Sequence, residues 1–333
     1  MKNIINLSRN DYFFDHCSSI DLNITNSDIS FYQPQANQEF YTTLANFHSI
    51  SPQCLYIDNG LEKAFTEVFK SYNCFKSNHI IVPSISWEYY FLLANNSKST
   101  TIHLLPNTIN QPINFLSSES IRILNNTPSA LVIVPWVNNP TGLPLANTKN
   151  ELEKLVLTYP QHVFFFDMAY LGFNSAPYQN PCILSLITYP NVVIGFTFSK
   201  FFGTPGIRLG YLVANQKLLF KLNLKPNYLG INTSTLKIGS QLLINYSHYQ
   251  NIVTKIKLVK DDFTNNLSNK GYNPILSESN FVLVDCKNNY ESVISKLISN
   301  NFIVKTFSAS PLRSCLRITI ATEPIMNQVL NCF

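Results

Sequence analysis

The chain has 333 residues, 45% of them hydrophobic and 13% charged, and its net charge of +5 reflects scarce acids, 19 Asp and Glu against 24 Lys and Arg. That length suggests one large domain with a smaller companion, and the composition argues against a disordered chain. No run of Lys and Arg is long enough to follow a phosphate backbone, so nucleic acid is not an expected partner.

Taken in order, residues 1–10 hold too short an apolar run, broken by Asn6 and Arg9, for a signal peptide. No stretch approaches the roughly 20 uninterrupted apolar residues of a membrane span, and the expected compartment is the cytoplasm. Strand-like apolar runs recur at His79–Pro83, Thr101–Leu105, Leu131–Pro135, Val163–Asp167, Val192–Thr197 and 209–214, with helix-compatible stretches between several of them. This is an α/β alternation. Runs such as LVIVP and VFFFD are apolar at successive positions, as strands covered on both faces of a mainly parallel sheet require. From about 233 to 270 a long helical pattern follows, with a break expected near Ser247. Strand-like Phe281–Asp285, 302–306 and 316–321 then complete a smaller α+β unit. The expected division is an N-terminal arm over 1–30 packing with the small domain, a large domain over 31–232 and a small domain over 233–333.

Seven cysteines, Cys17, Cys54, Cys74, Cys182, Cys286, Cys315 and Cys332, are scattered without a C-x-x-C pair and read as reduced, mostly buried thiols. The six histidines show no metal-ligand spacing, so no metal is expected.

Glycine is scarce, ten residues in all, yet Gly203, Gly206 and Gly210 crowd into TFSKFFGTPGIRLG at 197–210. On glycines alone a tight structural loop and a ligand-binding loop are equally open readings. Asp167 at the end of VFFFD is costly unless paired, or else it caps a helix. Arg317, inside the apolar run LRITIA at 316–321, must find an anion, either a structural carboxylate or a ligand.

Together with NNPTG at 138–142 and DMAY at 167–170, these two stretches resemble the fold type I aminotransferases that use pyridoxal 5′-phosphate, especially the histidinol-phosphate aminotransferase and threonine-phosphate decarboxylase branch. Order and spacing match from about Leu7 to Leu330. The resemblance implies a mainly parallel sheet of about seven strands flanked by helices, with a smaller α+β domain.

It also implies roles. Lys200 becomes the Schiff-base lysine, which then shuttles a proton at the substrate α-carbon. Asp167 faces the pyridine nitrogen and keeps it protonated. Tyr170 and Asn139 bond the cofactor 3′-oxygen, and Asn139 also borders the substrate. The cofactor phosphate falls to Arg208, Thr197, Ser199 and the turn before a helix at Gly60, Leu61 and Glu62. Trp87 stacks on the ring. Tyr32 reaches the phosphate of the neighbouring subunit in a homodimer, and Arg317 takes the substrate α-carboxylate.

Three departures are visible. Met168 and Leu61 replace the usual Glu and small polar residue, and SRNDY at 8–12 only loosely resembles the family's lid over the substrate. Lys305 stands where the histidinol-phosphate enzymes carry an arginine, giving charge without a bidentate fork. The expected reaction is amino-group transfer between an amino acid and a 2-oxo acid. The alternatives are α-decarboxylation on the same cofactor, or a non-catalytic binding protein of the same fold.

Overall fold

The computed structural model describes residues 4–18, 20, 24–75, 77–97, 100–226 and 229–333. Its strands are β1 Ile5–Asn6, β2 Leu55–Asp58, β3 His79–Pro83, β4 Thr101–Leu105, β5 Leu131–Pro135 and β6 Val163–Asp167. There follow β7 Val192–Thr197, β8 Gly210–Ala214, β9 Asn273–Ile275, β10 Phe281–Asp285, β11 Phe302–Ile303 and β12 Cys315–Thr319.

A seven-stranded sheet runs in the order β2-β8-β7-β6-β5-β3-β4. Strands β3 to β7 are mutually parallel along it, whereas β8 lies antiparallel to both β7 and β2. Every residue of β5, β6, β7 and β8 is buried, which is why those runs are apolar without alternation. β4, at the edge, is largely exposed or half-buried. Helix Leu61–Phe75 covers one face with Leu61, Ala64, Phe65, Val68, Phe69 and Tyr72, spaced three and four apart so that one stripe meets the sheet. The chain passes from β3 outward to β4 and then back to β5 on the other side. That reversal opens a crevice beyond the strands' carboxyl ends.

Helices Thr233–Ile244 and Tyr246–Asn269 lead into a three-stranded antiparallel sheet, β12-β10-β9, in which Leu283 faces Arg317. The N-terminal segment joins this unit: β1 pairs in parallel with β11, and Thr319 donates its amide to Leu7 at 2.9 Å. Among the described residues no helix is long and apolar enough to cross a membrane.

Several sequence expectations need correction. The helix break falls at Asn245, whose own amide caps the first helix while the next begins at Tyr246. The strand expected over 302–306 stops at Ile303, and only Lys305 regains a bridge, to Arg317. The last strand is shifted to Cys315–Thr319 because it pairs with β10 in that register. β2 and β9 were not anticipated, being too short for periodicity to register. Six cysteines are free, but Cys17 and Cys182 are exposed and Cys54 is half-buried, so burial is less general than expected; the Cys74 side chain lies outside the described residues.

Candidate active site

A cleft of about 310 Å³ lies at the carboxyl ends of β5, β6 and β7. Pro135, Asp167 and Thr197 close those three strands, and all three line it, with Lys200 and Arg208 from the following loop and Arg317 from β12. Asn139, Tyr170, Ser199, Trp87, Leu61 and Glu62 complete that wall. Of the residues expected to hold the cofactor or the substrate, Gly60 and Tyr32 alone lie off the cleft surface. Gly60 sits behind Arg208, whereas Tyr32 is 86% exposed between helices Asn26–Ser30 and Pro34–His48.

The Lys200 ammonium meets main-chain carbonyls rather than a carboxylate, donating to Asn10 at 2.9 Å and Arg9 at 3.2 Å. Burial, reinforced by the positive Arg317 and Arg208 and opposed by Asp11, lowers its pKa to about 8. A sizeable neutral fraction near neutrality is what an amine needs in order to attack an aldehyde.

Asp167 is 8% exposed, and burial raises its pKa. Two donors oppose that rise: the Tyr90 hydroxyl on Oδ2 and the Ala169 amide on Oδ1 at 2.8 Å. Tyr170 accepts from Asn10 Nδ2 at 2.8 Å, so its own proton is free to be donated.

Arg317 is equally buried. Its Nη1 donates to Asn139 Oδ1 and its Nη2 to the Ser8 carbonyl at 2.6 Å, while the Phe281 ring lies 5.2 Å below. Nε has no hydrogen-bond partner. Burial lowers its pKa, the signature of a cation that lacks a full counter-charge.

Leu61 and Glu62, which begin helix Leu61–Phe75, also line the cleft, and the first amides of a helix are a ready anion site. Gly60 has φ +91°, and a Cβ there would stand 2.7 Å from Arg208 Nη2, so glycine lets the guanidinium lie flat on the turn. Arg208 itself is left-handed at φ 51° and approaches Glu62 at 4.0 Å. The Thr197 hydroxyl accepts from the Ser199 amide at 3.1 Å and keeps its own proton for a ligand.

These features fit pyridoxal 5′-phosphate on structural grounds: an amine without a carboxylate partner, a buried carboxylate beside an aromatic, and a cationic helix start. The donor groups lie at opposite ends of one cleft.

Sequence reasoning passed over three contributors. Tyr90 has no role in the sequence reading, although it lies three residues after Trp87, in the first turn of helix Glu88–Asn96. Asn10 adopts φ 57° and serves Tyr170, Lys200 and Thr319 at once. Asp11 lines the cleft and supports the charge on Lys200. The asparagine preference for positive φ is the one signal that could have drawn attention to position 10.

A sequence profile of the family described as aminotransferase class I and II matches residues 2–331. Histidinol-phosphate aminotransferase 2 of Legionella pneumophila subsp. pneumophila is 25% identical over 303 residues, 89% of this chain and 79% of that one. The histidinol-phosphate aminotransferase of Brachyspira hyodysenteriae is 25% identical over 90% of this chain and 82% of its own length. Among solved structures, the histidinol-phosphate aminotransferase of Sinorhizobium meliloti, in complex with pyridoxal 5′-phosphate, superposes with a TM-score of 0.84 at 18% identity, covering 99% of this chain and 90% of that one. L-threonine-O-3-phosphate decarboxylase of Porphyromonas gingivalis gives 0.80 at 20% identity, covering 99% and 98%.

Proposed function

Since the chain belongs to the aminotransferase class I and II family, we propose that this pyridoxal 5′-phosphate enzyme moves an amino group between an amino acid and a 2-oxo acid, with Lys200 as the residue that holds the cofactor covalently. The observation that carries the reading is the meeting of Lys200, Asp167, Tyr170 and Arg317 in one cleft, although they come from separate parts of the chain. Bound pyridoxal 5′-phosphate supplies an aldehyde for the amine and a protonated ring that draws electrons from the substrate α-carbon.

The chain's own groups divide the work. Lys200 Nζ, freed when the substrate amine takes its place, would carry the proton from the substrate α-carbon to the cofactor's C4′ in one half-reaction and back again in the other. Asp167 would hold the proton on the ring nitrogen, and its own pair of donors, working against burial, favours the ionised form that task needs. Tyr170 donates toward the 3′-oxygen; Asn139 joins it through Nδ2, because its Oδ1 is taken by Arg317. Arg317 grips the substrate α-carboxylate, for which its unpartnered Nε and weak counter-charge leave room. Arg208, Thr197, Ser199 and the amides of Leu61 and Glu62 hold the phosphate, Gly60 giving the turn its shape while its own amide donates to the Asp58 carbonyl at 2.7 Å, and Trp87 covers the ring.

The division into an arm over 1–30, a large domain over 31–232 and a small domain over 233–333 belongs to this reading. So does a homodimer in which Tyr32, exposed here and away from its own cleft, reaches the phosphate of the neighbouring subunit. A cytoplasmic address is proposed with it. Lys305 is bound to Glu88 at 3.1 Å, so its charge is already answered, and the substrate we favour is one whose side chain carries no phosphate.

The test is spectroscopic. Purified protein with pyridoxal 5′-phosphate should show a visible band that shifts with a suitable amino acid and reverts with a 2-oxo acid, and Lys200→Ala should lose both band and turnover. A Lys200→Ala enzyme that retains turnover refutes the reading. Carbon dioxide release without any 2-oxo acid favours α-decarboxylation instead.

A further inference from the structure

The long helix Tyr246–Asn269 buries a cation for which the reaction has no direct use. Lys260 is 6% exposed, and its ammonium donates to the main-chain carbonyls of Ser277 and, at 3.1 Å, Ser279. No carboxylate among the described residues forms an ion pair with it. Burial lowers its pKa to about 8. An apolar side chain of similar length would avoid that desolvation, so what the ammonium adds is the placement of two carbonyls in a segment that lies between β9 and β10.

That segment touches three parts of the site. The Glu278 amide donates to the Gly142 carbonyl at 2.8 Å. Gly142, at φ +76°, has no room for a Cβ because the Ser277 side chain fills the space. Asn280 Nδ2 donates at 3.2 Å to the Asn10 carbonyl, the same oxygen that receives Lys200. The Phe281 ring lies beneath Arg317 and meets Tyr170 edge-on at 5.2 Å. One short stretch therefore abuts the turn that carries Asn139, the arm over Lys200, and the guanidinium of Arg317.

We propose that Lys260 is a positioning residue for the amino-acid end of the cleft, its ammonium fixing residues 277–281 so that Asn139, Arg317 and the arm at 8–11 keep their relative places. This role rests on the aminotransferase reading above. It predicts a selective effect, because among the described residues Arg208, Thr197 and the turn at 60–62 make no hydrogen bond or ion pair with the segment.

Amino-acid and cofactor affinities are to be titrated by visible absorbance in the full-length holoprotein carrying Lys260→Gln or Lys260→Arg. The glutamine variant should bind the amino acid about tenfold more weakly, the loss expected of one charge-assisted hydrogen bond, with cofactor affinity within about threefold of wild type. The arginine variant, which keeps the charge, should recover most of the loss. Equal losses for both ligands, or no loss of amino-acid affinity, overturn the assignment. If Lys260→Gln does not fold, Ser277→Gly, which takes the side chain off Gly142 and leaves the carbonyls that Lys260 holds, tests the segment itself: amino-acid affinity alone should fall, and equal losses for both ligands or no loss overturn the assignment.

Hydrogen exchange at the Glu278 amide in the cofactor-free chain supplies a readout independent of turnover. It should quicken by about tenfold in the glutamine variant, and unchanged exchange refutes the role. A wild-type holoprotein that answers no amino acid overturns the aminotransferase reading instead, and the exchange result still decides whether Lys260 holds the segment.

Discussion

Tyr90→Phe removes one oxygen and leaves the ring contacts with Phe65 at 5.1 Å and Trp87 at 5.4 Å in place. That oxygen donates to a carboxylate that is 8% exposed, and a hydrogen bond to a charged group is worth about 1.5–3 kcal/mol. Burial raises the Asp167 pKa, so the native state keeps its proton to higher pH than the unfolded chain does. Between those two pKa values the unfolded state binds fewer protons, and stability falls as pH rises above about 4. Tyr90 limits the fall by favouring the ionised form; without it the fall deepens. Urea unfolding of cofactor-free protein at pH 8 should therefore show the variant weaker by about 1.5–3 kcal/mol, a midpoint shift of about 0.5–1 M at a slope of roughly 3 kcal/mol/M. The difference should shrink as the pH is lowered through the raised pKa of Asp167, where the carboxyl takes up a proton. A pH-independent difference, or none, refutes the view that Tyr90 serves the charge on Asp167.

Other outcomes follow from the same geometry. Gly60→Ala forces a side chain onto the Arg208 guanidinium at φ +91°, and cofactor affinity should drop about tenfold in an absorbance titration; an unchanged affinity would show that Arg208 does not need that turn. Arg317→Lys keeps the charge but loses the fork, so KM for the amino acid should rise about tenfold or more while cofactor binding stays put; a KM at the wild-type level refutes a carboxylate role. Because only the neutral amine attacks an aldehyde and the Lys200 pKa is lowered to about 8, the loading rate of pyridoxal 5′-phosphate should climb about tenfold per pH unit toward pH 8 and then level off. A rise that continues past pH 8 without levelling would mean the amine is not buried in solution.

Several features were legible because their cause is local. The buried runs of β5, β6 and β7 are apolar at every position, since both of their faces are covered, and a window of five residues reveals that. Asp167 and Thr197 end such runs, so their place at the mouth of the sheet could be read before any coordinates. β2 and β9 escaped for the opposite reason: their short spans pair with distant strands and have no period of their own. Tyr32 could be named from its motif, yet its distance from the cleft of its own chain appears only once the helices on either side are placed.

Local chemistry, then, was enough for the α/β order and for an arginine in the last strand that needs an anion, whereas the lysine after β7 was singled out by the resemblance of the motif around it. Tertiary structure decided which groups those residues face. The arm at 8–11 meets Lys200 and Arg317, Tyr90 meets Asp167 and Lys260 meets the 277–281 segment through hydrogen bonds that mostly join residues far apart in the chain. Such bonds depend on how helices and strands pack, and packing is settled by the burial of the whole core rather than by the identity of either partner.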